Sequence, residues 1–408
     1  MLKRGLVRMK YKMCSILAVA MVLAISTVSK AQPSTAPSNK IAISWSCGPD
    51  LPQGFQDSTA GILDGYLLTV GGFCQGQKDV PGKLDKYPRG FLKKAWGLKL
   101  DDPAGKWETL PDFPGAARQE LFGVVAPGGF YCWGGFSYEN PLTYKDGYRL
   151  SITNGQWQWE KLPDLPWPIC SAGIVSIGSK IYVVGGSQYD GNGFYTQAGP
   201  LGDVERVGSR LMVLDTADLS AGWQQLPPCP GTPRWSFSTT AVDGNIYVIG
   251  GGSGNDNSTG SYCSIVDNWV YDTAKNEWTR LADLPVSSGN FSAGPVVFDC
   301  RYILLIGGYQ YPKVLNPDGS VRVAYGHASK HYPTPHEYFS DVFVYDIKSG
   351  EFGASTPLPL NNNRAAAVVE KGRLYIIGGE TGGAVIDGEH YGHHPELLLE
   401  GDIRMAKP

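Results

Sequence analysis

Short runs that alternate apolar and polar residues, broken by Gly and Pro clusters, recur along the whole chain and predict strands rather than helices. Six of these runs end in a glycine pair: LLTVGG (Gly71, Gly72), YCWGG (Gly134, Gly135), IYVVGG (Gly185, Gly186), IYVIGG (Gly250, Gly251), ILLIGG (Gly307, Gly308) and LYIIGG (Gly378, Gly379). A variable loop and a further strand follow each pair, reading AWGLKL, GYRLSI, SRLMVLD, NWVYD, DVFVYD and finally GDIRMA. In the first five units an aromatic residue and a turn come next: Trp107 with Leu110-Pro111, Trp159 with Leu162-Pro163, Trp223 with Leu226-Pro227, Trp278 with Leu284-Pro285, and Phe352 with Pro357-Leu358-Pro359. The sixth copy, Trp45 with Leu51-Pro52, stands before the first pair.

The pairs recur every 50 to 70 residues or so, a spacing that belongs to arrays of one repeated unit. The pattern predicts an all-β fold, a six-bladed β-propeller spanning 41–408, in which the displaced strand Ile41 to Trp45 completes the last blade beside Gly401 to Ala406. That pairing closes the ring and leaves no long unpaired edge. The glycine pairs read as the ends of inner strands, where backbones crowd near the axis. They, the aromatics and the Leu-Pro turns build blades and carry no chemistry.

Before this array, residues 1–31 have the form of a signal peptide. Lys3, Arg4, Arg8, Lys10 and Lys12 precede an apolar run from Met13 to Val28, and Ser29-Lys30-Ala31 offers small residues for cleavage after Ala31. The run is short for a membrane span, and Cys14 precedes it, so neither a span nor a lipid anchor is expected. Residues 32–40 are rich in Pro and Ser and read as a flexible segment. A periplasmic or secreted protein follows. Cleavage takes six of the 35 basic residues and none of the 38 acidic ones, moving the net charge from −3 to −9. So acidic a protein is a poor nucleic-acid binder. Seven cysteines remain, an odd number; most read as buried small residues rather than a disulfide frame.

Blade topology brings together, on one face, the loops after the glycine pairs and the segments leading into each innermost strand. All six His fall in two of these loops: His327, His331 and His336 with Glu337, and His390, His393 and His394 with Glu380, Asp387 and Glu389. The lead-in segments contribute Arg118 with Gln119 and Glu120, Arg234 with Trp235, Asn290, and Arg364 after Asn361-Asn362-Asn363. Phe73, Phe136, Tyr138, Tyr189, Phe194, Tyr195, Tyr309 and Tyr332 accompany them. Arg forks beside carboxylates and aromatic faces suit a small acidic sugar.

The chain resembles the kelch-type sialic acid mutarotases, or N-acetylneuraminate epimerases. The resemblance rests on FPGAARQE (Phe113 to Glu120), HEYFSDVFVYD (His336 to Asp346), NNRAAAVV (Asn362 to Val369) and LYIIGGETGG (Leu374 to Gly383), and it covers nearly all the chain after the signal. It implies a secreted six-bladed propeller that interconverts the anomers of N-acetylneuraminic acid without a cofactor. One departure stands out. The family's acidic residue and Arg after the glycines of a middle blade have no counterpart in Gly252 to Asp267, which offers only Asp256 and Asp267.

Ring opening of a hemiketal needs a base at the anomeric hydroxyl and an acid at the ring oxygen. Glu380, with His336 as partner, is the candidate acid/base. Arg118 and Arg364 are the candidate carboxylate ligands, with Arg234, Gln119 and Glu337 beside them. Each Arg also reads as a salt bridge tying blades, and Glu380 as a turn acceptor. A metal at His390-x-x-His393-His394 ranks below a metal-free site, as does copper chemistry of the galactose-oxidase kind. The alternative function is a non-catalytic propeller that binds a glycan or a protein.

Overall fold

The computed structural model describes residues 40–406 except 75, 77–87, 103–104, 197–206, 255–261, 287–288, 290, 292–293, 295, 312, 317, 319, 324–337, 382, 387–388 and 393. Expectations for the signal peptide, for residues 32–39, and for Asp256, Asn290, His327, His331, Tyr332, His336, Glu337, Asp387 and His393 lie outside the described residues.

Six four-stranded antiparallel sheets form the blades of a propeller, each running from strand a, nearest the axis, to strand d at the rim. Blade 1 is Thr59–Leu63, Tyr66–Val70, Ala95–Lys99 and Trp107–Thr109; blade 2 is Phe122–Ala126, Gly129–Trp133, Gly147–Thr153 and Gln156–Leu162. Blade 3 is Gly173–Ile177, Lys180–Val184, Leu211–Asp215 and Gln224–Leu226; blade 4 is Ser238–Val242, Asn245–Ile249, Asn268–Asp272 and Glu277–Leu281. Blade 5 is Val297–Phe298, Tyr302–Ile306, Val342–Asp346 and Glu351–Ala354. Blade 6 takes Ala366–Glu370, Arg373–Ile377 and Leu398–Met405 from the C-terminal end and Ile41–Cys47 from the N-terminal end. The last two pair antiparallel from Ile41↔Met405 to Cys47↔Leu399, so the ring closes as the displaced Trp45 predicts.

The repeated sequence features do different jobs. On the rim, the indole N–H of Trp45 donates to the Pro357 carbonyl at 2.7 Å, that of Trp159 to Pro111 at 2.8 Å and that of Trp278 to Pro227 at 2.8 Å. The strand-d aromatic of one blade thus caps the Pro turn of the blade before it, and Trp45 does so for blade 6. The glycine pairs end the second strand of each blade, next to the axis-lining strand. Their crowding comes from the next blade. Gly71 has φ +70° and Gly72 φ +110°, and a Cβ on Gly71 would lie 2.4 Å from the Leu121 side chain. The second glycine's N–H crosses the seam between blades: Gly72 to Arg118 O, Gly135 to Ile169 O, Gly186 to Arg234 O, Gly308 to Asn362 O and Gly379 to Phe55 O, all within 2.9–3.0 Å.

Apolar side chains fill the seams. Phe122, Trp133, Ile169 and Val183 share one buried cluster between blades 2 and 3, and Ile43, Leu304, Val344 and Ile376 another between blades 5 and 6. Five of the seven cysteines of the propeller are buried. No helix among the described residues is long and apolar enough to cross a membrane.

Candidate functional site

The segment that leads into strand a has the same construction in every fully described blade. Counting back from the strand, three successive residues matter: Phe55-Gln56-Asp57, Arg118-Gln119-Glu120, Ile169-Cys170-Ser171, Arg234-Trp235-Ser236 and Asn362-Asn363-Arg364.

The first residue turns back into its own blade. Nη1 of Arg118 donates to Gly134 O at 3.1 Å, Nη1 of Arg234 to Gly250 O at 3.2 Å, and the Asn362 amide to Gly378 O at 3.0 Å. Arg118 also grips Asp146 with two bonds of 2.6 and 3.1 Å, and its guanidinium lies 3.7 Å from the Tyr144 ring centroid. Arg234 holds the Asp267 carbonyl and carboxylate at 2.6 and 2.5 Å. Burial opposes ionisation of Asp267, but Arg234 and donated hydrogen bonds hold its carboxyl below the usual range. Both guanidinium groups are fully buried. The expectation that Arg118 and Arg234 face a ligand is therefore corrected: they tie a lead-in segment to its own glycine pair and next strand. Asp267, the one described acid of the blade-four loop, is used up in the same tie.

The second residue pairs with the residue after its blade's glycine pair, as in Gln56↔Phe73, Gln119↔Phe136, Cys170↔Ser187, Trp235↔Gly252 and Asn363↔Glu380; Gly289↔Tyr309 repeats the bridge in blade 5. These bridges place the glycine loops and the lead-in segments on one face, as the sequence implies. Buried polar atoms remain without partners here: Oε1 of Gln119, Oδ1 of Asn363 and Nε1 of Trp235. Native interiors rarely leave such atoms unpaired, and a ligand rich in hydroxyls would satisfy them.

The third residue faces the channel. Asp57, Glu120, Ser171, Ser236 and Arg364 all have positive φ, between 48° and 57°. Few non-Gly residues adopt this left-handed geometry, which costs about 1–3 kcal/mol each and gathers at functional sites. A belt of backbone bonds enforces it: Asp57 N–H donates to Arg364 O, Glu120 N–H to Asp57 O, Ser171 N–H to Glu120 O and Ser236 N–H to Ser171 O, at 3.0–3.1 Å. These five side chains line one cavity, whose empty space, open mouth included, is about 720 Å³. Val124, Val125, Val175, Ser176, Ala241, Val368 and Glu370 line a second cavity.

Charge sits on one side of the belt. Nη1 of Arg364 donates to both oxygens of Asp57, at 3.1 and 3.0 Å, and to Oε1 of Glu120. Its Nε and Nη2 make no hydrogen bond with any described residue, which leaves the edge that grips carboxylates in a fork open. Ser171 donates to the other oxygen of Glu120. Burial, together with Glu120 and Glu380 nearby and against the pull of Arg364, pushes the Asp57 carboxyl up to about 7. Glu380 is buried beside Asn363, whose amide lies 3.5 Å from it, and it accepts from Tyr338. Burial raises its pKa against these hydrogen bonds and Arg364. Glu380 does not line the channel cavity.

Above the belt, aromatic rings touch in sequence around the face. Phe73 contacts Phe91, then come Phe136, Tyr189, Phe194, Trp235, Tyr311, Tyr309 and Tyr338, with centroids 4.6–6.3 Å apart. Tyr338 closes the arc onto Glu380, and His394 flanks its other end, 6.3 Å from Phe73. Of the residues singled out in the sequence, the structure thus brings together Arg364, Gln119, Glu120 and Glu380 with Phe73, Phe136, Tyr189, Phe194 and Tyr309. It adds Asp57, Ser171 and Ser236, which the sequence reading passed over. Aligning the five fully described lead-in segments on strand a would have found them, because they occupy one register position.

A family model described as the KLHDC2/KLHL20/DRC7 Kelch-repeats domain matches residues 124–379. The N-acetylneuraminate epimerase of Haemophilus influenzae strain 86-028NP is 25% identical over 360 residues, covering 82% of this chain and 88% of that one. The N-acetylneuraminate epimerase of Vibrio cholerae is 30% identical over 262 residues, 60% of each chain. The solved structure of YjhT superposes with a TM-score of 0.61 at 17% identity over 86% of this chain and 96% of that one. The six repeated blades, their glycine seams and these matches agree: the chain belongs to the Kelch-repeat family and is related to the N-acetylneuraminate epimerases.

Proposed function

We propose that this propeller is a mutarotase that interconverts the anomers of N-acetylneuraminic acid or a related acidic sugar. The observation that carries the reading is the Asp57–Glu120–Arg364 cluster: two carboxyls on one guanidinium nitrogen in the channel, with the guanidinium's forked edge open. That edge would hold the sugar's carboxylate. Glu120, fixed by Arg364 and Ser171, would take the proton of the anomeric hydroxyl. Asp57 carries a proton for part of the time at neutral pH and would give it to the ring oxygen as the carbon–oxygen bond opens. Rotation about the bond to the freed carbonyl carbon and closure from the other face, with the proton transfers reversed, yields the other anomer. Glu380, buried behind Asn363 and Arg364, takes the role of a positioning group, and the unpaired Gln119 and Asn363 oxygens would accept from sugar hydroxyls. The names of the relatives support the substrate class. We also place the protein in the periplasm or outside the cell, from its N-terminal sequence.

The absence of the family's acid and Arg from the blade-four loop favours a second reading, a propeller that binds such a sugar without turning it over. Proton NMR of freshly released α-N-acetylneuraminic acid separates the two. A mutarotase speeds anomer equilibration, and Glu120→Gln slows it again. Equilibration at the buffer rate, with binding intact, leaves the binding protein.

A further inference from the structure

The channel holds more acid than base. Asp57 faces charged groups from every segment packed against it: Arg364 in the lead-in of blade 6, Glu120 in that of blade 2, and Glu380 after the glycine pair of blade 6. Among the described residues Cys170, Tyr262, Tyr311 and Tyr338 also feel this cluster. Arg118 and Arg234 add no positive charge to the channel, since each is consumed by Asp146 or Asp267 in its own blade. Arg364 is therefore the cation shared by three carboxyls, and Nη1 alone already serves two of them.

An acidic sugar that docks on the open Nε–Nη2 edge brings a fourth carboxylate to the same guanidinium. In a buried site that surplus of negative charge is relieved by protonating one of the resident carboxyls. Asp57 is the one placed to accept. Both of its oxygens contact the nitrogen that also holds Glu120, so neutralising it removes repulsion from Glu120 and from the ligand, while Glu120 keeps Arg364 in place.

We propose that an acidic sugar enters this channel together with one proton, which solvent supplies to the Asp57 carboxylate, so that binding is coupled to pH through that residue. The proposal rests on the reading of the channel as the acidic-sugar site. The balance is simple: one solvent proton joins an Asp57 oxygen, no covalent bond of the ligand changes, and the net charge of the site is the same before and after binding. Because the group titrates near neutrality already, the coupling sets in as pH rises above about 7. There the dissociation constant rises about tenfold per pH unit, the slope of a single linked proton.

Isothermal titration of the mature protein with N-acetylneuraminate at pH 8, in two buffers of different ionisation enthalpy, counts the protons. The parent should take up close to one per sugar, and Asp57→Asn close to none, with a dissociation constant that barely changes with pH. Asn accepts the left-handed backbone of this position at least as readily as Asp, so the variant keeps the belt. Binding by the parent without proton uptake, or equal uptake by parent and variant, overturns the coupling and leaves the site reading in place. Absence of binding throughout pH 5 to 8 overturns both.

Discussion

Arg118→Met separates a structural guanidinium from a ligand-binding one. The wild-type group makes hydrogen bonds to Ala116 O, Gly134 O and both Asp146 oxygens, and stacks on Tyr144, while 1% of its side chain is exposed. Removing one partner of a buried ion pair costs about 3–5 kcal/mol. Asp146 keeps 23% exposure and can rehydrate, so the lower end, about 3 kcal/mol, applies. With an unfolding entropy of about 2.1 cal/mol/K per residue, a propeller of this length loses roughly 4 °C in melting temperature for that change. Methionine matches much of the volume and keeps contact with Tyr144 and Phe113, so packing adds little. Differential scanning calorimetry reads the stability, and titration with N-acetylneuraminate reads the site. The expected result is a lower melting temperature with sugar affinity unchanged. An unchanged melting temperature with affinity lost would show that Arg118 serves the ligand, and would refute the division between the first and third lead-in positions.

Arg364→Lys should do the reverse, weakening sugar binding by about 1–3 kcal/mol through loss of the forked edge, with little change in melting temperature, because an ammonium can still pair with Asp57 and Glu120. Glu120→Gln should leave binding measurable and lower the anomer exchange rate by roughly 10²- to 10⁴-fold, read by saturation-transfer NMR. Deleting residues 41–50 removes the whole rim strand of blade 6 and the Trp45–Pro357 bond, and should abolish cooperative melting, whereas removing only residues 1–31 should leave the melting of the full-length chain unchanged. Stability should also depend on pH through Asp57. Its folded pKa lies above the unfolded value of 3.8, so its favourable contribution is complete below about pH 4 and fades as pH rises through about 7. The melting temperature of the parent relative to Asp57→Asn should therefore fall across that window, and a flat difference would contradict the raised carboxyl.

The ring was legible in the sequence because each blade repeats a local requirement: a left-handed glycine at the seam, an indole for the rim, a Pro turn for it to cap. Even the displaced Trp45 could be placed by the copy it lacked. The site was only half legible. Arg118 and Arg364 both precede an innermost strand and look alike in the chain, yet Arg118 is four residues before Phe122 and Arg364 two before Ala366. Those two residues decide whether the side chain turns into the blade or into the channel. Asp57, Ser171 and Ser236 escaped notice because they share no residue type, only a register and a backbone conformation. Glu380 was found by its neighbours in GGETGG, but its distance from the cavity depends on the bridge to Asn363, which spacing alone does not reveal.

A crystal structure of the mature protein soaked with N-acetylneuraminate tests the central claim most directly. The account predicts the sugar carboxylate on Nε and Nη2 of Arg364, with the pyranose ring between Asp57 and Glu120 beneath the aromatic arc. A sugar seated elsewhere, with Arg364 still engaged only by Asp57 and Glu120, would contradict it.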